Sequence, residues 1–221
     1  MNYLDLVNDV LIRLREDEVT ATTDTPYAKL IGKFVNDAKR TVEDSFQWNV
    51  LTETVTVTTT DGLFNYVLRN DSDPENGIGQ RFRVMDVINS EDDFFLQPAT
   101  SSVMNNWLLN ANATKGSPAY YNFNGVDAGD TQVDLYPIPD GVYNIYFNVF
   151  KPQNALSAGS DELLVSAEPV IKYAYAMAVA ERGEDGGLAA QEATALADLS
   201  LADHIAMAAH RQNDEYIWHQ V

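Results

Sequence analysis

The spacing of the apolar residues changes twice along this chain of 221 residues. Residues 3–16 repeat apolar side chains at intervals of three and four, which predicts a helix with one buried stripe. Between residues 52 and 150 apolar residues alternate with polar ones and many are β-branched, which is typical of strands. Helical spacing returns at about residue 163. A chain with helices at both ends and strands between them is expected to be an α+β protein.

A second helix is predicted to begin at Pro26, directly after the candidate N-cap Thr25. Threonine accepts a hydrogen bond from the first turn, and proline costs none there because that N–H has no partner within the helix. Apolar residues then recur at helical spacing from Tyr27 to Phe46, while the charged residues largely fall elsewhere. The pattern predicts a long amphipathic helix with a single buried face.

Two hairpins are predicted in the first half of the β-rich region. Residues 52–68 alternate on both sides of Asp61-Gly62, a dipeptide that favours a hairpin turn. A second hairpin is predicted around Ser90 to Asp92. Between them, residues 70–80 ("NDSDPENGIGQ") are predicted to form a polar loop.

A short helix and three further strands are predicted to complete this region. The stretch "TSSVMNNWLLN" reads as a helix capped by Thr100 or Ser101. The residues expected to face inward are Val103 and Trp107, with Met104 and Leu108 as further candidates. The three strands are expected in "AYYNFNG", "TQVDLYPIP" and "YNIYFNVF", separated by turns in "GVDAGD" and "PDG".

The last two predicted helices, at 168–185 and 188–212, are rich in alanine. Alanine favours helix and lets helices approach closely, so these two should pack on each other or on the first pair. The predicted fold class is therefore α+β, a bundle of about four helices with a β-rich insertion between helix 2 and the last two long helices. The predicted divisions are bundle helices at 1–50 and 155–212, the insertion at 51–154, and a C-terminal tail at 213–221.

The charge balance and residue types exclude several classes of function. The chain has 33 Asp and Glu against 14 Lys and Arg, for a net charge of −19, so binding to nucleic acid phosphates is not expected. No apolar run is long enough to span a membrane. The chain has no cysteine, and His204 and His210 lie six residues apart, a poor spacing for zinc on one helix. We therefore expect no metal, no cofactor and no catalytic site.

Large apolar residues crowd the end of the chain, "NDEYIWHQV". A frayed terminus is expected to carry small or charged residues instead. Tyrosine and tryptophan each bury roughly 150–250 Å² when covered, so these side chains favour packing against something. Two hypotheses remain open: the segment docks on a partner, or it packs on the chain's own helices.

Four stretches occur in an order that is familiar from one family. They are the opening "YLDLVNDVLIRLRED", the second helix "YAKLIGKFVNDAKRTVEDSFQWNVL", the connection "LYPIPDGVYNIYFNVFKPQNALSAGSDELLV" and the helix end "AMAVAERGEDGG". Together they resemble the head-to-tail adaptor proteins of bacteriophages, most of all the tail tubular protein A type of short-tailed phages. The resemblance runs over essentially the whole chain.

The resemblance implies a structural, non-enzymatic virion protein in the neck of a phage, made in the host cytoplasm. Such adaptors form a ring, usually of twelve copies, with a portal protein ring on one side, a tail nozzle protein on the other, and DNA passing through the channel without specific binding. Acidic residues facing the channel are expected to keep DNA from sticking. The C-terminal segment is implied to dock on the portal. Its residues here are Tyr216, Ile217, Trp218, His219, Gln220 and Val221.

Two charged surfaces are further candidates for contacts between copies of the chain. The candidate residues are Lys29, Lys33, Lys39 and Arg40 on one side, and Glu181, Glu184 and Asp185 on the other. An alternative function is a β-rich receptor- or carbohydrate-binding tail module, with the aromatic residues of "AYYNFNG" as a sugar platform. A hydrolase with a carboxylate pair is a third hypothesis, although no positioned nucleophile or base accompanies the carboxylates.

Overall fold

A computed structural model of the chain describes residues 1–70, 73–183 and 187–210. The chain separates into two compact units, one made of residues 1–51 and the described residues from 152 onward, the other of residues 52–151. In the described ranges the α-helices are α1 (Tyr3–Arg13), α2 (Pro26–Ser45), α3 (Ser101–Leu108), α4 (Ala167–Arg182) and α5 (Leu188–Ala209). All but α3 belong to the first unit, so the expected mixed α+β class is confirmed.

The start of α2 follows the predicted signals. Thr25 lies in an extended conformation, and its side chain accepts a hydrogen bond from the N–H of Ala28 at 3.0 Å, with Pro26 in the first turn. The first helix is shorter than predicted and ends at Arg13, because Arg15 takes a left-handed conformation with φ 60° that breaks the helix. Leu14, just beyond the end of α1, is still buried in the core.

The core of the first unit is centred on α4. This helix packs against α1, α2 and α5, as the alanine-rich composition predicted for the last two helices. Val7 and Val10 of α1, Ile31 and Val35 of α2, and Val170 of α4 are fully buried. Gly32 allows the close approach of the Tyr3 side chain, since a Cβ at this position would overlap the Tyr3 hydroxyl.

The described residues of the second unit form two four-stranded sheets and a two-stranded ribbon. Its strands are β1 (Thr52–Thr58), β2 (Asn65–Val67), β3 (Arg69–Asn70), β4 (Asp73–Gly77), β5 (Arg83–Asn89), β6 (Phe94–Phe95), β7 (Gln97–Pro98), β8 (Tyr120–Asp127), β9 (Asp130–Tyr136) and β10 (Asn144–Phe150). One sheet has the order β1-β10-β5-β6, the other β2-β9-β8-β7, and β3 pairs with β4. Val57, Phe147 and Leu135, from both sheets, belong to one buried cluster.

The predicted hairpin over residues 52–68 is wrong. Strand β1 pairs with β10 and strand β2 pairs with β9, so the two halves of the predicted hairpin lie in different sheets. Gly62 does have the positive φ of a turn residue, at 79°, but the chain uses this turn to cross from one sheet to the other. Each half finds a partner far along the chain that continues a sheet and buries its apolar face.

The remaining predictions for this region are mostly confirmed. The hairpin around Ser90 to Asp92 exists as the antiparallel pair β5–β6, and the three later strands are β8, β9 and β10. The predicted loop at 70–80 is partly wrong, because residues 73–77 form strand β4. Gly77, the last residue of β4, lies so close to Asp130 that a Cβ at position 77 would overlap the Asp130 carboxylate.

The short helix α3 is confirmed, and Thr100 caps it by accepting a hydrogen bond from the N–H of Val103 at 3.4 Å. The expected inward face is partly wrong. Met104 is fully buried, whereas Val103 is exposed to solvent. Trp107 is half-buried and stacks on Tyr136, with ring centres 4.8 Å apart. The side of α3 that packs is therefore the one that carries Met104 and Trp107.

Candidate interaction surfaces

The helix α5 meets the rest of the first unit through small side chains. Ala193, Ala197 and Ser200 are its buried residues, and they are spaced four and three apart along one face. Small residues let helices approach closely, which explains how α5 packs along α4. Because the buried residues of α5 are small, the larger apolar residues of this helix remain available for other contacts.

Much of the exposed surface of α5 is apolar. Leu196 is 59% exposed and Leu199 is 64% exposed, and Leu188 and Met207 are also exposed. A surface helix normally carries polar residues on its outer face, and a helix that is apolar on all sides is usually buried. We call the surface of Leu196 and Leu199 the α5 outer face. Its composition favours contact with another protein surface.

A hydrogen bond between Tyr173 and Asp198 joins α4 to α5. The Tyr173 hydroxyl of α4 donates to the Asp198 carboxylate of α5 at 2.5 Å. Burial of the hydroxyl, together with the hydrogen bond to Asp198 and its negative charge, raises the pKa of Tyr173 to about 12. The bond therefore persists throughout the physiological pH range.

Three of the basic candidates lie on the surface of α2. Lys29, Lys33 and Arg40 are exposed, and we call them the α2 basic face. Lys29 and Lys33 also line a cavity of about 560 Å³, together with Asp37 and Leu156. In a chain with a net charge of −19, a basic face of this kind favours contact with an acidic surface.

Lys39 does not belong to this surface. Its side chain is 3% exposed, and its ammonium lies 3.1 Å from the carboxylate of Glu43, which is 0% exposed. The ammonium also donates to the carbonyl of Gln153 at 2.6 Å, and the same Glu43 oxygen accepts from the N–H of Gln153 at 3.2 Å. Lys39 thus holds the returning chain against α2, and we remove it from the candidate subunit contacts.

The acidic candidates are only partly described. Glu181 is exposed near the end of α4, whereas Glu184 and Asp185 lie outside the described residues. Arg182, next to Glu181, binds the Glu16 carboxylate and donates to the Tyr27 hydroxyl at 2.9 Å. This arginine therefore ties the end of α4 to the loop after α1 and to the first turn of α2.

A groove of about 310 Å³ lies at the C-terminal end of α5. It is lined by residues from three parts of the first unit: the turn after α2, the extended segment before α4, and the last turns of α5. We call it the Trp48 groove, and its main lining residues are Trp48, Val50, Leu164, Val165, His204 and Met207. The predicted docking residues Tyr216 to Val221 lie outside the described residues, so their role stays a prediction.

The aromatic residues of the proposed sugar platform are engaged within the second unit. Trp107 covers Tyr120, with ring centres 5.0 Å apart. Tyr121 and Phe123 pack against the buried cluster between the sheets. Rings that are covered in this way leave little flat aromatic surface for stacking on a sugar. The structure therefore does not favour the carbohydrate-binding alternative.

Reactive groups do not converge in the described part of the chain. Within residues 1–70, 73–183 and 187–210, no group of three or more His, Asp or Glu side chains is placed to hold a metal ion. The ring of His204 contacts the Ser200 carbonyl at 2.7 Å, within its own helix. None of the helices in these ranges is long and apolar enough to cross a membrane.

Two features were not predicted from the sequence: the α5 outer face, and the polar side chains of α2 that hold residues 153–156. A signal for the first was present, because leucine and alanine occupy every side of residues 188–209 and leave no polar face. A signal for the second was Asn36, since asparagine is unfavourable inside a helix unless its amide has a specific partner.

No curated protein matches the chain. Residues 1–216, in contrast, match the family model described as SU10 adaptor protein. This match confirms the expectation of a phage adaptor, a structural virion protein, but does not distinguish the tail tubular protein A type. Because the match covers nearly the whole sequence, the chain belongs to the SU10 adaptor protein family.

Proposed function

We propose that this protein forms the ring that joins the portal to the tail nozzle in a phage virion, and that the ring lines the DNA channel. The family match supports an adaptor with a structural and not a catalytic role. On this proposal the helical unit is the bundle that packs side by side around the ring, and residues 52–151 are its insertion. On this proposal the ring contains twelve copies of the chain, and the protein is an adaptor of the tail tubular protein A type.

The observation that carries this proposal is the α5 outer face. Leu196 and Leu199 are both more than half exposed on a helix with few polar residues. Burying a leucine side chain that was exposed stabilises a complex by about 1.5–3 kcal/mol. A neighbouring copy of the chain would bury this face once per interface, all around the ring.

A ring requires two different surfaces that fit each other. A contact between unlike surfaces repeats from copy to copy, and it closes when the rotation between copies is a whole fraction of a circle. The α2 basic face supplies one surface, and α5 supplies another with exposed Leu196 and Leu199 next to the carboxylates of Asp198 and Asp203. Glu181, Glu184 and Asp185 extend the acidic side on this proposal.

The acidic character of the chain fits a channel through which DNA moves. At physiological salt, charges act over about 8–10 Å, so only carboxylates that face the channel affect the DNA. Those carboxylates would repel the phosphates and prevent binding during packaging and ejection. A chain with 33 Asp and Glu has many carboxylates from which such a channel lining could be formed.

Docking on the portal is assigned to Tyr216, Ile217, Trp218, His219, Gln220 and Val221. A single segment of this length would bind weakly, because ordering it costs about 1–2 kcal/mol of backbone entropy per residue. A ring of such segments binds tightly, since each further segment binds at a high effective concentration after the first has docked.

The test is to mix the purified protein with assembled portal rings and to examine the product by co-sedimentation and electron microscopy. The unmodified chain should add a ring of density to the portal. A Leu196→Asp/Leu199→Asp variant should lose the closed ring, because each interface would bury two carboxylates. The matched control is Val126→Asp/Val142→Asp, which places the same two charges on exposed apolar residues of the second unit. Equal ring assembly by the α5 variant and the control would refute the proposed interface.

A chain truncated after Asn213 separates ring formation from portal docking. On this proposal it should retain the surfaces for subunit contacts and lose capture by the portal. Capture of the truncated chain at the same level as the full chain would place the docking surface elsewhere. Failure of both chains to bind the portal would refute the connector function itself.

A further inference from the structure

The Trp48 groove has an apolar lining that the first unit does not cover. Trp48 and Val165 are almost completely buried at its base, and the indole N–H of Trp48 donates to the Val42 carbonyl at 2.8 Å. The polar atom of the indole is therefore satisfied inside the unit, and the ring carbons are what the groove offers to a ligand. Val50, Leu164 and Met207 stand around it with about half of each side chain exposed.

The three exposed apolar residues come from three separate segments of the chain and meet at one groove. An apolar concavity with a polar surround is typical of a site that binds another apolar segment. A volume of about 310 Å³ is at the lower limit for ligand sites, which suits one or two large side chains better than a whole helix.

We propose that in the unassembled subunit this groove binds the C-terminal segment of the same chain, through the side chains of Tyr216 and Trp218. These residues lie outside the described part of the chain. The groove lies where this segment begins, because Met207 and Ala208 line it and the segment follows His210. Trp218 is eight residues beyond His210, which allows a reach of about 26 Å. The segment is therefore long enough to turn back and place Trp218 in the groove.

Attachment to the same chain makes this occupant the favoured one. A segment tethered a few residues from its site acts at an effective concentration in the millimolar range. The groove therefore needs only a weak affinity to be filled by its own segment. The same segment of a second copy would have to compete against this local concentration.

The inference goes beyond portal docking and does not depend on it. The aromatic side chains cannot occupy the groove and a portal surface at once, so docking would require their release. In the free subunit the groove would shield an apolar segment from other proteins. This shielding would weaken premature contacts of single copies and favour docking by an assembled ring, where many segments act together.

Fluorine NMR of the full chain labelled with 5-fluorotryptophan tests this inference directly. The protein contains three tryptophans, Trp48, Trp107 and Trp218, and replacement of each by Phe assigns its signal. In dilute protein that sediments as a single copy, the Trp218 signal should be displaced from its position in unfolded protein. Met207→Glu should return it to that position, whereas the matched control Leu199→Glu, on the same helix but outside the groove, should not.

Two results of this experiment would overturn the proposal. A Trp218 signal that is the same in the unmodified chain, in Met207→Glu and in unfolded protein would show that the groove does not hold the segment. A displacement that grows with protein concentration would show that the occupant is the segment of a second copy.

A second measurement does not depend on the folding of the Met207 variant. In a chain truncated after Asn213, the Trp48 signal should differ from that of the full chain, because its groove is empty. Adding a peptide of residues 211–221 at millimolar concentration should shift the signal towards its position in the full chain. A peptide with Trp218→Ala should need at least a tenfold higher concentration. No shift with the unmodified peptide would overturn the proposal, whatever the result of mixing the protein with portal rings.

Discussion

The side-chain amide of Asn36 forms hydrogen bonds with both backbone groups of Leu156, which lies 120 residues further along the chain. Its nitrogen donates to the Leu156 carbonyl at 3.0 Å, and its oxygen accepts from the Leu156 N–H at 2.8 Å. Leu156 is almost fully buried and belongs to no strand. The amide of Asn36 thus supplies the backbone partners that a neighbouring strand would otherwise provide.

Replacing this asparagine should therefore destabilise the helical unit. Asn36→Ala removes both hydrogen bonds to Leu156 and leaves buried backbone groups without partners, so we expect the free energy of unfolding to fall by about 2–4 kcal/mol. The measurement is urea unfolding followed by the helical circular dichroism signal. Asn8→Ala is a matched control, because Asn8 makes the same pair of bonds to Val19, a more exposed residue in a nearby loop. Asn8→Ala should lower the free energy of unfolding by less than Asn36→Ala does. An equal or larger decrease would contradict the role of Asn36 as a buried backbone partner.

The buried pair of Lys39 and Glu43 predicts strong coupling between two substitutions. Lys39→Met leaves the Glu43 carboxylate in the core without its ammonium partner. We expect this substitution to lower the free energy of unfolding by about 3–5 kcal/mol. Lys39→Met/Glu43→Leu removes both charges and should recover a large part of that loss. A double-mutant cycle measured by chemical unfolding gives the coupling energy.

The matched control for this cycle is the exposed pair Lys172 and Glu168, which has the same spacing along a helix. Its coupling should be below about 0.5 kcal/mol. Additive effects of the substitutions at Lys39 and Glu43 would show that the buried charges do not stabilise each other.

The contact between α4 and α5 should weaken in strong alkali. The pKa of Tyr173 is raised to about 12, so the folded state favours the neutral hydroxyl. Its contribution to stability is fully present below the ordinary pKa of 10.0 and is lost as the pH rises through about 12. Tyr173→Phe should cost about 1 kcal/mol at neutral pH, through loss of one hydrogen bond. The difference in the free energy of unfolding between the unmodified protein and Tyr173→Phe should disappear near pH 12.

Helix stability measured by circular dichroism from pH 8 to pH 12 tests this prediction. Tyr143→Phe is the control, because the pKa of Tyr143 is also raised to about 12, by its hydrogen bond to Asp140 in the second unit. This control should leave the first unit unchanged. A pH-independent difference between the unmodified protein and Tyr173→Phe would contradict the role of the hydroxyl.

Charge reversal on the α2 basic face should prevent ring assembly. Lys33→Glu/Arg40→Glu changes the net charge by −4 and replaces attraction to an acidic neighbour by repulsion. The control Arg83→Glu/Lys115→Glu makes the same change on exposed residues of the second unit. Negative-stain electron microscopy with portal rings should show closed rings for the control only. Closed rings with both variants would exclude the α2 basic face from the interface.

Local sequence signals predicted most of the helices because their causes are local. The Thr25 cap and the position of Pro26 depend on hydrogen bonds within one turn, so both could be recognised without knowledge of the fold. Alternation also identified most strands, since it reflects one buried and one exposed face. It could not identify their partners, and for this reason the hairpin at 52–68 was predicted between strands that lie in different sheets.

For the candidate surfaces, too, the sequence predicted some residues correctly and tertiary contacts decided others. The exposed lysines Lys29 and Lys33 were recognised from the sequence, but Lys39 was grouped with them because charged residues usually lie outside. Its burial depends on Glu43 and on Gln153, and Gln153 lies 114 residues further along the chain, after the whole second unit. No local pattern contains that information.

The sequence by itself thus determined the class of the fold, the limits of most elements, and membership of the adaptor family. These properties depend on the spacing and type of residues within short stretches, and on their order. Tertiary structure alone decided which strands pair, which polar residues become internal hydrogen-bonding partners, and which apolar residues of α5 remain exposed. The physical reason is that burial depends on contacts between segments as far apart as Asn36 and Leu156, and such contacts exist only once the chain has folded.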